Sequence, residues 1–556
     1  MEEYARTALM GMLTAVATGP ELAEVGGAVA GQGAVMDALV DGLRPVVVTL
    51  LNVGFGLGGR TAAGTVSLGE VEEELRTSGR ELIRATLQAV MDAASAAEER
   101  RPGGVDGPDG VRRTRVEEGH ARGVATVFGR ITVRRDAYRA PRAANVHPLD
   151  VVLDLPAGLY SPGLARLCVQ ESVRGSFTDA ADAVGYATGV RIGTRQIIEL
   201  TRAAAADATA FYTDPGREVA AADPHDALVI TADGKGVPVR AEALRPGTAK
   251  LAAKAKTSTG DGGGDGRGNR KRMAELVCVH DLTPVPRTVD DILPPVTDDD
   301  GAPAGGPAPC GGEVRKPAVG KAPKAAGKWL TASIVEDIAT VIAAGFDEAT
   351  RRDPAHARDW VALVDGNTTQ IDAITAQAAA RGVEVTILID YLHVAGYVWD
   401  AAKAFFHTDT AAGMTQARTW VHERSRMILH GGALEVANRI RARVLGSKLT
   451  AAQRKSALEA ATYLTNKAPY LDYPTALASG WPIATGVIEG ACRHLVKDRL
   501  EITGARWGLD TAQAILTLRA IATTGDLAQY WRYHRQQEHH RTYPASTTPT
   551  TPALAA

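Results

Sequence analysis

The chain reads as a multidomain α/β protein: a mixed sheet in its middle, interrupted by an all-α insertion, and a mainly helical N-terminal part that carries a β-hairpin and a helix-turn-helix. Three observations predict this. Strand-like runs DALVITAD, MAELVCVHDL, WVALVDGN and VTILIDYLH recur between residues 226 and 394, with helical segments between the later ones. From Ala395 to about Ser479 every segment (AKAFF, ARTWVHERSRMIL, ALEVANRIRARVL, QRKSALEAATYL) has the composition of a helix. Before residue 226 one alternating stretch lies among short amphipathic ones. At 556 residues the chain exceeds one core, so two to four structural units are expected.

Composition bounds the function. Hydrophobic residues at 45% and charged residues at 23% are ordinary for a soluble globular protein. The formal net charge of -2 excludes a uniformly basic protein, so a nucleic-acid partner must be held by local basic surfaces. The four cysteines, Cys168, Cys278, Cys310 and Cys492, form no Cys-x-x-Cys pair and have no His at zinc-finger spacing, which argues against a disulfide framework or zinc ribbon. The opening MEEYARTALMGM is acidic where a signal peptide would be basic. The apolar run Pro45–Leu57 is too short to span a bilayer and is cut by glycines. A soluble, cytoplasmic protein with no membrane partner is expected.

Residues 1–66 form an extension without an assigned role. Residues 67–113 hold a helix and a linker. The helix runs from Ser67 to Arg101, with a Ser67/Glu70 capping box and Val71, Leu75, Leu82, Ile83, Leu87 and Val90 as its apolar positions. RPGGVDGPDGVRR is the Gly/Pro/Asp linker. In residues 114–225, Ala125–Tyr138 alternates around a Phe-Gly turn and reads as a β-hairpin. Arg130, Arg134, Arg135 and Arg139 make it basic, as DNA-backbone contacts or as a solvated strand face. A helix over Phe177–Val184, a turn through Gly185 to Gly189 and a second helix from Thr194 fit a helix-turn-helix, with Thr194, Arg195 and Gln196 opening the helix that would read bases.

Residues 226–394 have a different texture. A first strand ends at Asp233, and GKG, with Lys235, turns into VPVR. MAELVCVHDL is a third strand, placed between low-complexity inserts at about 254–270 and 294–328. A helix over Ser333–Phe346 follows with a Ser333/Glu336 capping box, then a strand ending at Asp365, a crossover helix Thr369–Ala380 and a strand ending at Asp390. The first three strands can pair as an antiparallel meander and the last two join in parallel through right-handed crossovers. Asp233, Asp365 and Asp390 then share one sheet edge, at the carboxyl ends where open α/β sheets place ligands. The all-helical insertion spans 395–480, a C-terminal helix region 481–540, and a disordered tail 541–556.

The stretch WPIATGVIEGACRHLVKDRLEITGARW, Trp481 to Trp507, contains an amphipathic helix. Ile488, Cys492, Leu495 and Val496 make an inward stripe; Glu489, Arg493 and Lys497 recur every four residues on another side. Alone, that face is a set of solvated ion pairs. With Asp233 and a second strand-end Asp it supplies three carboxylates on separate elements, as a divalent-metal site requires. Arg493, Lys497, Arg499, Arg506 and Lys235 are candidate phosphate contacts; pairing of the arginines and Lys497 with Asp498 or Glu501 is the plain alternative. Trp507 is expected in the core rather than stacked on a displaced base.

Taken together, VFGRITVRRDAYR, HPLDVVLDLP with YSPGLARL, SFTDAADAV, TADGKGVPV, NRKRMAELVCVHDLTPVPRT, LVDGN, LIDYLHVAGYVWDAAKAF and ATGVIEGACRHLVKDRLEITGARW resemble the DDE transposases of bacterial insertion sequences, most of all the ISKra (ISKra-four) family. The resemblance covers most of the chain from about Glu74 to Trp507; the first 66 residues and the two inserts have no counterpart in it. It implies an RNase H-like catalytic domain and two Mg²⁺ ions, with Mn²⁺ as substitute. It also implies binding of the element's terminal inverted repeats by the N-terminal part, and cleavage and strand transfer of double-stranded DNA ends to target DNA by a homodimer or higher oligomer. Carried over, the catalytic and metal-binding residues fall on Asp233, Asp365 and Glu489. LIDYLH offers Asp390 as the alternative second Asp; the Asp-Gly step of LVDGN favours Asp365, which leaves Asp390 and His393 near the site. In such a reaction two ions about 3.5–4 Å apart activate the attacking oxygen and stabilise the leaving one.

Two other classes compete. A catalytically inactive or co-opted transposase-derived protein would bind DNA without cutting it. A two-carboxylate glycosidase needs paired acids but no metal; few aromatics and the basic surroundings of Glu489 argue against a sugar site. EDTA-sensitive DNA nicking separates the transposase from both.

Overall fold

The computed structural model describes residues 33–219, 223–250, 271–295, 322–502 and 504–544. The first insert, most of the second and the tail from 545 lie outside the described residues, as does the first half of the N-terminal extension. The protein is mixed α/β, 57% helical, with one five-stranded mixed sheet. It divides into two compact units, Met1–Thr201 with Trp531–Ala556, and Arg202–Tyr530.

In the first unit, a helix Gly33–Ala62 runs unbroken through Pro45. The apolar run from Pro45 is therefore not cut by its glycines, contrary to expectation. Interior glycines cost about 1 kcal/mol each but do not end a helix. Its Gly42–Ala62 part is the one helix among the described residues long and apolar enough to cross a membrane, by length and composition only, with mean hydropathy 1.2. The next helix, Leu68–Ala96, is capped as expected by the Ser67/Glu70 box. Its inward line is Ala85, Ala89 and Ala93, whereas Leu75, Ile83 and Val90 are exposed. The large residues lose the inward side because the packing there is close: a Cβ on Gly42 would come within 2.8 Å of Ala89.

The expected linker contains a short antiparallel ladder of β1 (Val105–Asp106) and β2 (Arg112–Arg113). The hairpin is longer than its sequence core: β3 (Arg115–Thr126) pairs with β4 (Gly129–Arg139) and closes at Thr126↔Gly129. Ile131, Val133, Arg135 and Ala137 of β4 point inward with period two. Val124, Ile131, Val133, Leu149 and Leu155 form the core here, with Leu87 and Met91 against it. Helices Phe177–Thr188 and Thr194–Ala205 follow, the first capped by a Ser176/Asp179 box and ended by Gly189 at φ +73°.

The second unit holds the sheet in the order β7-β6-β5-β8-β9. β5 (Ala227–Pro238) and β6 (Lys271–Leu282) are antiparallel over twelve residue pairs, and β6 pairs antiparallel with β7 (Ala325–Ser333). β8 (Trp360–Val364) runs parallel to β5, and β9 (Val385–Ile389) parallel to β8. The expected meander and parallel pair are both present, with different membership. β5 does not end at Asp233 but continues through Gly-Lys-Gly into Val-Pro, held by β6, so Lys235 is a strand residue and not a turn residue. The third meander strand is AAGKWLTAS, which begins in what read as the end of the second insert and runs to the residue expected to start a helix. The helix expected from Ser333 starts at Ile338, capped by Asp337; Ser333 ends β7, and its Oγ accepts the amides of Val335 and Glu336 in the turn between. The crossover helix Thr368–Arg381, ended by Gly382 at φ +62°, is as expected. The insertion is all-helical, from Tyr391–Phe405 to Tyr473–Ala478, and shares one hydrophobic core with the sheet.

Candidate functional site

Strand register brings the candidate carboxylates level. Thr231 of β5 pairs with Leu363 of β8, and Val364 of β8 with Ile389 of β9. Carrying each register on by a residue or two sets Asp233 beside Asp365 and Asp365 beside Asp390, three aspartates at one end of three adjacent strands. Asp233 is half-buried: its Oδ1 accepts its neighbour Gly234 N at 2.7 Å and its Oδ2 accepts the Cys492 thiol at 3.2 Å. Burial raises the Asp233 pKa against the lowering by the Cys492 and Gly234 hydrogen bonds; the Asp365 charge adds a smaller rise and Lys235 a still smaller lowering. Lys235 is two residues along on the same face of β5.

Asp365 lies just past β8, its Oδ1 accepting Asn367 N at 2.8 Å, while Asn367 caps the following helix. Gly366 sits at φ +94°, and a Cβ there would stand 2.5 Å from the Tyr463 hydroxyl, so the Asp-Gly step is sterically required. That hydroxyl donates to the Asp365 carbonyl at 3.1 Å. Tyr463 stacks on Tyr397 with ring centres 3.8 Å apart, and His393 stands against both. Asp390 is buried and differently employed: Oδ1 caps its own helix through Leu392 N at 2.6 Å and His393 N at 3.4 Å, and Oδ2 accepts both the amide and the hydroxyl of Thr485.

Glu489 is exposed on the short helix Gly486–Ala491, with Oε1 3.5 Å from Thr485 Oγ1. The amphipathic helix expected here is present from Gly486 to Leu500, but its middle, Cys492–Lys497, is a wide π-helical turn before a last α-turn Asp498–Leu500. The inward stripe survives: Ile488, Cys492, Leu495 and Val496 are all buried. The wide turn lets Cys492 face Asp233, and burial followed by the Asp233 charge pushes the Cys492 pKa up, keeping the thiol protonated.

Two predicted contacts are corrected. Arg499 is buried with its guanidinium 4.8 Å over the Trp507 ring, so it faces the core and not a phosphate track. Trp507 is a core residue, as expected, its indole N–H donating to Leu500 O at 2.9 Å. Arg135 is also buried, bonded to both carboxylate oxygens of Asp150, because it falls on the inward side of β4. Arg130 and Arg134 are on the outward side and exposed; Arg139, also exposed, pairs with Glu117 at 2.6 Å. Thr194, Arg195 and Gln196 are exposed at the start of their helix, Arg195 beside Glu199 at 3.2 Å. Arg493, Lys497 and Arg506 are exposed and, among the described residues, make no ion pair. Neither do Asp233, Asp365, Asp390 or Glu489.

Among the described residues no group of three or more His, Cys, Asp or Glu side chains is arranged as it stands to hold a metal ion. The donor chemistry nevertheless fits a hard divalent cation: carboxylate oxygens without an ion-pair partner among the described residues, the Asp365 charge adding to the cost of ionising Asp233. Sequence reasoning missed Thr485 and Tyr463; Thr485 carries a signal, since a Thr four residues before the key Glu lies one turn away on the same helix face. No model of a known protein family and no curated protein matches the chain.

Proposed function

We propose that this protein is a DDE transposase that binds the terminal inverted repeats of its element and cleaves and joins DNA ends with Asp233, Asp365 and Glu489. The observation that carries this reading is the register: Asp233 on β5 and Asp365 just past β8 fall level, neither with an ion-pair partner among the described residues, and the Cys492–Asp233 hydrogen bond ties the Glu489 segment to them. The sheet, in which only β6 runs against its neighbours, supports an RNase H-like core. The saturated carboxylate of Asp390 favours Asp365 as the second ligand, with Asp390 and His393 beside the site.

Mg²⁺, or Mn²⁺ in its place, would be held by Asp233, Asp365 and Glu489 after rotation of the two more accessible side chains. Bound there, such ions supply charge stabilisation to the attacking and leaving oxygens of a phosphate. Exposed Arg493, Lys497 and Arg506 hold the phosphate backbone beside the carboxylates, and Lys235 lies nearest the reacting strand. In the other unit the two-helix segment acts as a helix-turn-helix, with Thr194, Arg195 and Gln196 toward bases and Arg130 and Arg134 toward phosphates. Two DNA ends call for a homodimer or higher oligomer.

The test is incubation of the full chain with linear DNA carrying the repeats that flank its gene. EDTA-sensitive nicking at the repeat ends is expected; end binding with no metal-dependent nicking would replace the reading with that of a co-opted DNA-binding protein.

A further inference from the structure

Thr485 occupies the N-cap position of the Glu489 helix, yet its side chain makes no cap bond. A threonine there normally gives its oxygen to an amide of the first turn, worth about 1 kcal/mol. This hydroxyl is diverted. It donates to Asp390 Oδ2, and its oxygen stands 3.5 Å from Glu489 Oε1, one turn along. Asp390 is 2% exposed and collects four donors: Leu392 N, His393 N, Thr485 N and Thr485 Oγ1. A buried carboxylate held this way is fixed, since any displacement strands several polar groups at once. The backbone repeats the attachment on both sides: Asp390 N donates to Val364 O and Tyr391 N to Ile483 O, each at 2.8 Å. Glu489 itself is exposed and has no other side-chain bond among the described residues.

We infer that Asp390 and Thr485 form a positioning pair that pins the start of the Glu489 helix to the sheet edge, Asp390 acting through the Thr485 amide and hydroxyl and not as a metal ligand. This rests on Glu489 being a metal-binding carboxylate. One hydroxyl proton can satisfy only one acceptor at a time. Asp390 takes it, so the hydroxyl ties the helix start to the sheet edge and both Glu489 oxygens stay open to a cation. Without the Asp390 carboxylate, or without the hydroxyl it accepts, the helix that carries Glu489 loses a tie to the sheet edge. Groups that orient a ligand from behind in this manner typically change metal affinity about 10–100-fold.

The experiment uses the full chain and two readouts: Mn²⁺ affinity from calorimetry in the absence of DNA, and Mg²⁺-dependent cleavage of repeat-end DNA. Thr485→Val and Asp390→Asn are each expected to weaken Mn²⁺ binding and slow cleavage by about 10–100-fold, with binding of end DNA unchanged. Thr485→Ser, which keeps the hydroxyl, is expected to restore most of both. The double variant should be no worse than the poorer single one, because the two residues act in series. Affinity and cleavage in Thr485→Val equal to those of the parent chain would overturn the inference, and so would losses that multiply in the double variant. Should Thr485→Val not fold, Thr485→Ala read against Thr485→Ser decides in the same way. A parent chain that binds no Mn²⁺ and cuts no DNA would remove the functional reading and this inference together, whereas an active parent with an unaffected Thr485 variant removes the inference alone.

Discussion

Two charges drawn into the protein, buried Arg135 and half-buried Asp233, make an instructive pair. In the hairpin unit Arg135 is turned inward and neutralised by Asp150, which Arg122 also approaches at 3.5 Å. At the sheet edge Asp233 is drawn inward next to Asp365, a like charge, with a thiol as its closest side-chain partner. The first arrangement is complete within the chain; breaking it costs stability. The second is electrostatically incomplete, and on the proposed reading a divalent cation would complete it. A buried charge thus signals function less by being buried than by lacking an opposite.

The sharpest way to break this contrast is to remove charge at each place. Asp233→Asn, Asp365→Asn and Glu489→Gln should each lower cleavage of repeat-end DNA by on the order of 10³-fold or more, with little change in end binding by gel shift. Retained cleavage in any one takes that residue out of the site. Arg135→Met should act on folding: one partner of a buried pair is lost, so the hairpin unit should lose about 3–5 kcal/mol in denaturant titration. The outward Arg130→Ala should stay within about 0.5 kcal/mol of the parent.

Acidity should move the two places in opposite senses. Burial lowers the pKa of His147 from 6.5 to about 4, helped by Arg135, His120 and Arg122 and opposed by Asp150. A depressed folded pKa means stability held above pH 6.5 and drained as the pH falls through 4, so the hairpin unit should melt earlier across that window. Asp233 has a raised pKa, so its contribution is present below 3.8 and lost as the pH rises through the folded value. Mg²⁺ favours the ionised form; its stabilising effect on melting should therefore grow with pH through that range. The smallest effect is on salt dependence. Arg130→Ala and Arg134→Ala should each reduce the slope of log affinity against log salt by about 1, and Arg135→Met should leave the slope unchanged wherever the variant is folded.

What could be read from the sequence was what local pattern determines. The Ser67 capping box, the crossover helix with its Gly382 stop, the all-helical insertion and the buried stripe through Ile488 and Val496 come from spacing of three or four residues. Arg135 was legible in principle, since period-two alternation puts it with Ile131 and Val133, but a run of arginines draws attention to charge before side. β7 was hidden because its lysine- and alanine-rich start resembles the insert before it, and it becomes a strand only by pairing with β6. Likewise the continuation of β5 past Asp233 is a gift of β6, since Gly-Lys-Gly alone favours a turn. The thiol on Asp233 and the Thr485 hydroxyl on Asp390 join residues 259 and 95 positions apart, beyond any periodicity.

The wide turn at Cys492–Lys497 has a consequence for how this gene can vary. It takes up more chain per turn than the α-helix on either side, and such bulges recur at functional sites. Deleting one codon there would yield a more regular helix and would leave much of the inward stripe able to repack. Yet the residues inside the turn would change direction relative to the helix before it, so Arg493 and Lys497 would no longer keep their bearing on Glu489. Chains one residue short in this turn should therefore fold and, on the proposed reading, lose cleavage of repeat-end DNA.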